Sequence, residues 1–386
     1  MKTTAIVAEY NPFHNGHKLH LDFSRKRTGS DFIAVILSGS FTQRCEPSVF
    51  SKWQRAKSAV ISGADIVFEL PFDFSTASAE RFALGAVTLC HKLNIDFLSF
   101  GSECGDTDIL SDIGELLLND SVSIKEQLKS GVTYAKARSQ ALYKVNKEYA
   151  KIVEQPNNIL GVEYIKAAKR LNSSIDFITL KRNDVQHNSD DVTENTASAK
   201  RIRELILSGN SEFEKYIPKN ILELSEQFAD VKHLEQILLY KLRSLDMQTA
   251  STLPEVTEGL EGRIIKATRA AFSIDDFLEF MKTKRYPLSR IRRIMLYILM
   301  DMQGRKLKDD IGYARVLAFS ENGREYLKHQ KNNENIKIIT KITNTQDLSQ
   351  NDIEIIENEN RATELRSLCF ENPLEYGIDK TSNSWS

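Results

Sequence analysis

"AIVAEYNPFHNGHKLHL" spans residues 5–21, and its reading decides the fold. An apolar run meets a carboxylate at Glu9 and passes through Asn11-Pro12. His14 and His17, three residues apart, then flank Asn15 and Gly16 as a helical pattern begins. The run reads as a buried strand, and the histidines fall on the first turn of the helix after it. Backbone N–H groups there lack intrahelical partners, and the helix dipole adds partial positive charge, so an anion fits. Gly16 admits a ligand close to the backbone, and residues at i, i+3 share a face. Two imidazoles beside such amides suit a phosphate whose charge builds in a transition state. The bland alternative is a pair of surface histidines near a cap.

Further along, "FIAVILS", "DIVFELP" and "IDFLSFG" repeat the strand pattern. Amphipathic stretches lie between them at Lys18–Arg27, Lys52–Ser62 and Ser78–Leu93. Strand and helix in alternation predict an α/β domain with a doubly wound parallel sheet, whose ligands bind beyond the carboxyl ends of the strands. After "EQPNNILG", where Pro156 starts a helix and Asn157 and Asn158 offer capping amides, come a strand from Ser174 and a helix from Ser198 to Gly209. The first domain is expected to cover 1–217. Residues 218–386 are expected to form a mainly α-helical second domain with a small α/β element and a frayed tail, "DKTSNSWS".

With 386 residues, 41% hydrophobic and 27% charged, the composition is that of a soluble globular protein of two domains. No apolar run approaches the roughly 20 residues that span a bilayer, and the start lacks a signal pattern, so a cytoplasmic location is expected. Cys45, Cys90, Cys104 and Cys369 show no metal spacing, so no metal site and no disulfide is expected. A net charge of −1 argues against a polyanion binder by bulk charge. From Arg263 to Arg293, however, nine Lys/Arg stand against three acidic residues.

"NPFHNGH" resembles the His-x-Gly-His motif of the nucleotidyltransferase superfamily, whose members cleave ATP between its α and β phosphates. The ordered set "EYNPFHNGH", "SGSFTQRCEPSVFSKWQRAKSAVISGADIVFELPF", "FGSE", "PNNILGVEYIKA" and "SAKRIRELI" resembles the bacterial tRNA(Met) cytidine acetate ligase family. The likeness continues more thinly through "KRYPLSRIRRIMLYIL" and "ARVLAFSENGREYL". It implies a ligase that makes acetyl-adenylate and pyrophosphate from ATP and acetate. The acetyl group then passes to N4 of the wobble cytidine, position 34 of elongator tRNA(Met), forming N4-acetylcytidine. ATP is the implied co-substrate, with Mg2+ as its expected counter-ion; acetate and the anticodon loop are the implied partners, with no membrane and no protein partner.

The resemblance maps a nucleotide-binding stretch onto Val7, Ala8, Glu9, Tyr10, Asn11, Pro12, Phe13, His14, Asn15, Gly16, His17, Lys18, Leu19 and His20. Further ATP contacts map onto Gly101, Asn157 and Arg182, with His14 and His17 as the catalytic pair. Without it, Gly101 reads as a turn glycine, Asn157 as a cap and Arg182 as a solvated strand end. "SAKRIR" resembles the superfamily's second phosphate motif, with Ser198 and Arg203 as candidate contacts. Lys200 departs from the family's Ser-Ala-Thr pattern, and an amphipathic helix with a basic face is the alternative. Gln43, Arg44 and Glu46, after the second strand, are assigned to the acetate or cytidine end. Cys45 stands where a small glycine is expected in relatives.

For RNA, Lys282, Lys284, Arg285, Arg290 and Arg293 are candidate contacts, with Tyr297 on the face of Arg290 and Arg293; Lys52, Arg55 and Lys57 are further ones. Other readings are a nucleotidyltransferase joining a nucleotide to a small phosphate acceptor, an RNA-binding module with a vestigial pocket, and a ligase for another acyl group.

Overall fold

The computed structural model describes residues 1–119, 124–182, 197–222, 227–257, 259–283, 285–382 and 384–385. Five strands alternate with helices as the pattern predicts: β1 (Thr3–Ala8), β2 (Phe32–Ser38), β3 (Ile66–Leu70), β4 (Phe97–Ser102) and β5 (Asp176–Lys181). All five run parallel, and β6 (Tyr313–Phe319) and β7 (Lys337–Ile339) extend the sheet in the order β5-β4-β1-β2-β3-β6-β7. Only the β3–β6 pair is antiparallel among the described strands.

Successive side chains of a strand point to opposite faces, so strands covered on both sides read as continuous apolar runs. Ile33, Val35 and Leu37 pack with Leu21 of helix α1 (Asn15–Thr28) and with Ala56 and Val60 of helix α2 (Lys52–Ile61). Ala34, Ile36 and Phe68 face the other way, onto the Ala79–Lys92 and Pro156–Arg170 helices. Chain order leaves β1 in one direction toward β2 and in the other toward β4. The crevice for a ligand therefore opens at the carboxyl ends of β1 and β4.

The helical region has its own core of Leu238, Ile264, Phe277, Ile294 and Tyr297. Two expectations for the C-terminal half are corrected. Residues 313–319 and 337–339 join the first sheet instead of forming a separate small element. The tail is not frayed where described: Trp385 accepts from the Phe319 amide at 2.9 Å and donates to the Leu317 carbonyl at 3.1 Å. Its indole also lies under the Lys57 ammonium, 5.3 Å from the ring centre.

A buried ionic cluster ties these parts together. Lys52 Nζ lies 2.6 Å from Glu69, 3.0 Å from Glu359 and 3.0 Å from Asp379. Arg315 of β6 lies 3.1 Å from Glu69 and 2.7 Å from Asp379. Glu69, Glu359 and Asp379 bring three carboxyls to two cations. Burial, and then the charge of Glu69, pushes the Glu359 carboxyl up, while Lys52 pulls it down. Glu359 also accepts from the amides of Ser40 (3.3 Å) and Phe72 (2.8 Å), and a Cβ on Gly39 would run into its carboxylate. The Gln350–Ser367 helix is thereby seated against the loop after β2.

Removing one partner of a buried pair leaves an uncompensated charge and costs about 3–5 kcal/mol. Lys52→Ala is expected to lower unfolding stability by that amount in urea titration. A change below about 1 kcal/mol would mean that the cluster is solvated.

Candidate active site at the carboxyl ends of β1 and β4

β1 ends at Ala8, and the chain turns through Tyr10, in a left-handed conformation at φ 45°, and a cis Asn11-Pro12 bond. Tyr10, Asn11, Pro12 and Phe13 are buried, whereas Val7, Ala8 and Glu9 are half-buried at the strand end. Two groups fix this turn: Asn11 Oδ1 accepts from the Val49 amide at 2.8 Å, and Arg203 Nη1 donates to the Asn11 carbonyl at 2.9 Å. Helix α1 then starts with His14 as its N-cap.

The histidines cap one another's backbone. Gly16 N–H donates to His14 Nδ1 (3.1 Å), and His14 N–H donates to His17 Nδ1 (3.2 Å). An Nδ1 that accepts carries no proton, so each neutral ring holds its proton on Nε2. The rings stack with centroids 3.6 Å apart and 21° between planes. Burial, with help from the Arg182 charge, lowers His14 to about 4. Burial lowers His17 well below its usual value, reinforced by His14 and His20. At neutral pH the pair is a pair of uncharged N–H donors. The sequence points to imidazoles here; that they are neutral follows only from their burial.

Other residues of the stretch have supporting parts. Tyr10 packs 4.7 Å from the His17 ring centre, with Phe13 at 5.6 Å. His20 bonds the Ser99 hydroxyl of β4 at 2.9 Å, fixing α1 to the sheet; burial lowers it to about 4. Asn15 Nδ2 donates to the Lys215 carbonyl at 3.3 Å. Lys18 pairs with Asp22 on the exposed side of α1, and Leu19 is half-buried.

On the β4 side, Gly101, Asn157 and Arg182 come together. Glu103 holds the start of the Pro156–Arg170 helix: its carboxylate accepts from Asn157 Nδ2 (2.6 Å) and the Asn158 amide (2.9 Å). Asn158 Oδ1 in turn accepts from the amides of Glu103 and Cys104. The cap is therefore Glu103, a residue the sequence reading passed over, and not the Asn157 or Asn158 amide. Arg182 Nη1 reaches Asn157 Oδ1 at 3.4 Å, and an added Cβ on Gly101 would meet Arg182 Cγ at 3.5 Å. The chain itself leaves room at Gly101.

On the β2 side, Glu9 Oε1 accepts from the Gln43 amide at 2.8 Å. Burial pushes the Glu9 carboxyl up, while the Gln43 bond and the charges of Arg203, Arg44 and Arg55 pull it down. Glu46 lies 2.7 Å from Arg292 and 3.5 Å from Arg203, joining the Leu288–Leu299 helix to the Ala199–Leu207 helix. Cys45 has φ 59°, the left-handed region that favours glycine, which accounts for the expected residue there. Burial raises its thiol far from ionisation.

Several candidates are corrected. Lys52 and Arg55 are each 1% exposed, so neither meets RNA: Lys52 sits in the ionic cluster, and Arg55 donates to the carbonyls of Glu9, Ser38, Gly39 and Phe50. Tyr297 is buried in the helical core, away from the solvent face. Arg293 is 9% exposed and bound to Glu255 at 2.8 Å, and Arg290 donates to the Glu255 carbonyl at 2.6 Å. Lys282 and Arg285 are exposed, and Lys284 lies outside the described residues. Arg203 donates Nη1 to the Asn11 carbonyl and lies 3.5 Å from Glu46, so it positions the turn after β1. Ser198 caps the Ala199–Leu207 helix through the Arg201 amide, and Lys200, Arg201 and Ser198 remain exposed.

A model described as HIGH Nucleotidyl Transferase matches residues 1–380. A tRNA(Met) cytidine acetate ligase from Thermoanaerobacter sp. (strain X514) is 39% identical over 396 residues, covering 98% of both chains. The chain belongs to the tRNA(Met) cytidine acetate ligase family. The family member from Caldanaerobacter subterraneus subsp. tengcongensis is 38% identical over 96% of both chains. The crystal structure of Thermotoga maritima TmcAL bound with alpha-thio ATP superposes with a TM-score of 0.90 at 31% identity, covering 100% of this chain and 99% of that one. The family's fold, an α/β sheet with a helical region, is the fold seen here.

A methyl on Gly16 would lie 3.0 Å from His14 Cε1 and 3.1 Å from Nδ1, tighter than ordinary contact. Gly16→Ala is expected to tilt the His14 ring and weaken ATP binding by about tenfold, near 1.4 kcal/mol, in calorimetric titration. Unchanged affinity would separate this ring from the nucleotide site.

Proposed function

We propose that this chain is an ATP-dependent ligase that activates acetate as acetyl-adenylate and acetylates N4 of the wobble cytidine, position 34, of elongator tRNA(Met). The observation that carries the reading is the pair of uncharged Nε2–H donors of His14 and His17 at the start of α1. They stand in a chain similar to a protein solved with an ATP analogue. The names of its relatives support the acceptor and the acyl donor.

In the first step an acetate oxygen attacks the α-phosphorus, and the bond to the bridging oxygen of pyrophosphate breaks. Acetate, with a pKa of roughly 4, is ionised at neutral pH and needs no base. What the step needs is donors aimed at the oxygens that gain charge, already oriented and desolvated. His14 and His17 supply these, beside the first amides of α1. Neutral donors also stabilise charge without titrating between pH 5 and 8. Gly101, Asn157 and Arg182 form the nucleoside end; the open backbone at Gly101 and the paired Asn157 and Arg182 support that assignment. Among the described residues no group of three His, Cys, Asp or Glu is arranged to hold a metal. The chain's own donor set does not fit a Mg2+ cage, and a Mg2+ would be carried by the phosphates of ATP itself.

For the acceptor, Lys282 and Arg285 are the exposed cations that support contact with the RNA backbone. No described helix is long and apolar enough to cross a membrane.

The deciding experiment is acetate-dependent pyrophosphate exchange into ATP, with and without tRNA. His14→Ala is expected to lose at least about 100-fold, as removal of a transition-state donor does. A wild type without acetate-dependent exchange would overturn the ligase reading and direct the test to small phosphate acceptors. On the RNA side, replacing Lys282 and Arg285 together by Ala is expected to flatten the salt dependence of tRNA binding, by a slope of about 0.7–0.9 per lost phosphate contact. An unchanged slope would remove this edge from the RNA footprint.

A further inference from the structure

The sheet order sets the two ends of the cleft apart. Gly101, Asn157 and Arg182 lie on the β4 and β5 side, whereas Gln43, Arg44 and Glu46 follow β2 on the other. Glu9, at the end of β1, stands between them. Its Oε1 is fixed by the Gln43 amide at 2.8 Å, and Oε2 makes no hydrogen bond among the described residues. A half-buried carboxylate oxygen without a partner among the described residues, beside the turn into α1 and the loop bearing Gln43, is poised for an incoming donor. A carboxylate is an acceptor for the exocyclic amine of cytosine, whereas the O4 carbonyl of uracil would be repelled.

We infer that Glu9 is the catalytic base of the acyl transfer, accepting the N4 amine of the acceptor cytidine through Oε2 and taking its proton. The inference rests on the ligase reading above. The bond that forms joins N4 to the acetyl carbon. The bond that breaks joins that carbon to the adenylate oxygen, whose electron pair leaves with AMP. The proton shed by N4 passes to Glu9 Oε2, and solvent receives it after the products depart.

The surroundings suit such a base. Arg203 of the Ala199–Leu207 helix, Arg44 of the β2 loop and Arg55 of α2 face it with positive charge. Cys45 of the same loop and Tyr164 of the Pro156–Arg170 helix also feel it, and burial keeps both neutral. Burial outweighs the three cations and holds the carboxyl above its ordinary value, closer to working pH. The proton-accepting form therefore gains population as pH rises through that raised value. A weak nucleophile such as an aryl amine needs its proton removed as the bond forms, whereas ionised acetate does not. Glu9 is thus assigned to the second step and the histidines to the first.

The test uses the full chain and a tRNA acceptor, with the two half-reactions read separately. Acetate-dependent pyrophosphate exchange reports the first, and single-turnover transfer from preformed acetyl-adenylate the second. Glu9→Gln is expected to slow transfer at least about 100-fold, the loss typical of a missing general base, and at least tenfold more than it slows exchange. Wild-type transfer should rise with pH and level off. The Glu9→Gln rate should be flat, and Glu9→Asp should restore the rising limb in part. Equal losses in both half-reactions, or a Glu9→Gln transfer with the wild-type rate and pH profile, would overturn the assignment. A wild type that shows no acetate-dependent exchange would overturn the ligase reading and this inference with it, a result the variant comparison cannot mimic.

Discussion

The carboxyl ends of β1 and β2 are held by one buried guanidinium. Arg55 donates to the carbonyls of Glu9 (2.7 Å), Ser38 (3.0 Å), Phe50 (3.3 Å) and Gly39. Strand ends leave carbonyls without ladder partners, and burying them unpaired costs about 1–3 kcal/mol each. A planar fork with five donors meets several at once, which the point charge of a lysine does not. Burial lowers the Arg55 pKa to about 9, so it stays charged at neutrality. Because it fixes the Glu9 backbone and the start of the β2 loop together, the loop bearing Gln43 and Glu46 keeps its register against the turn that follows β1.

At α1 one nitrogen of each imidazole caps the helix and the other serves the proposed chemistry. An aspartate cap would satisfy the amides equally well, but an ionised carboxylate has no donor to offer. An imidazole accepts with one nitrogen and donates with the other, so His14 and His17 close the helix start and each still carries an Nε2–H. Burial keeps both rings neutral, and the backbone N–H groups donated to Nδ1 fix their tautomers. Preorganisation here comes from the backbone itself.

Local pattern carried much of this into the sequence. The five parallel strands, the start of helix α1 and the Pro156 and Ser198 helix starts are written in apolar runs, proline and capping residues. What was hidden depends on partners far away in the chain. Lys52 and Arg55 look like surface cations on an amphipathic helix, because nothing local announces Glu69, Glu359 or Asp379. Tyr297 shares a helical face with Arg293, yet the bundle packs over it. Glu103 reads as an ordinary loop acid until the Pro156 helix is laid beside it. β6 resembles any short strand, and its antiparallel place beside β3 follows from tertiary packing, not from spacing. Cys45 shows the reverse: glycine was expected, and the left-handed backbone that explains the expectation is present with a side chain on it.

The ionic cluster also bears on how the chain reaches its fold. Lys52 of α2 and Glu69 of β3 lie close together in the chain, but Asp379 joins them from more than 300 positions downstream. Until Glu359 and Asp379 arrive, Arg315 and Lys52 share the single carboxylate of Glu69. Contacts of such sequence separation are closed late and slowly. The parallel sheet and the C-terminal helices therefore cannot ripen as independent units: helix α2 and β3 hold one half of the cluster, and Glu359 and Asp379 bring the other.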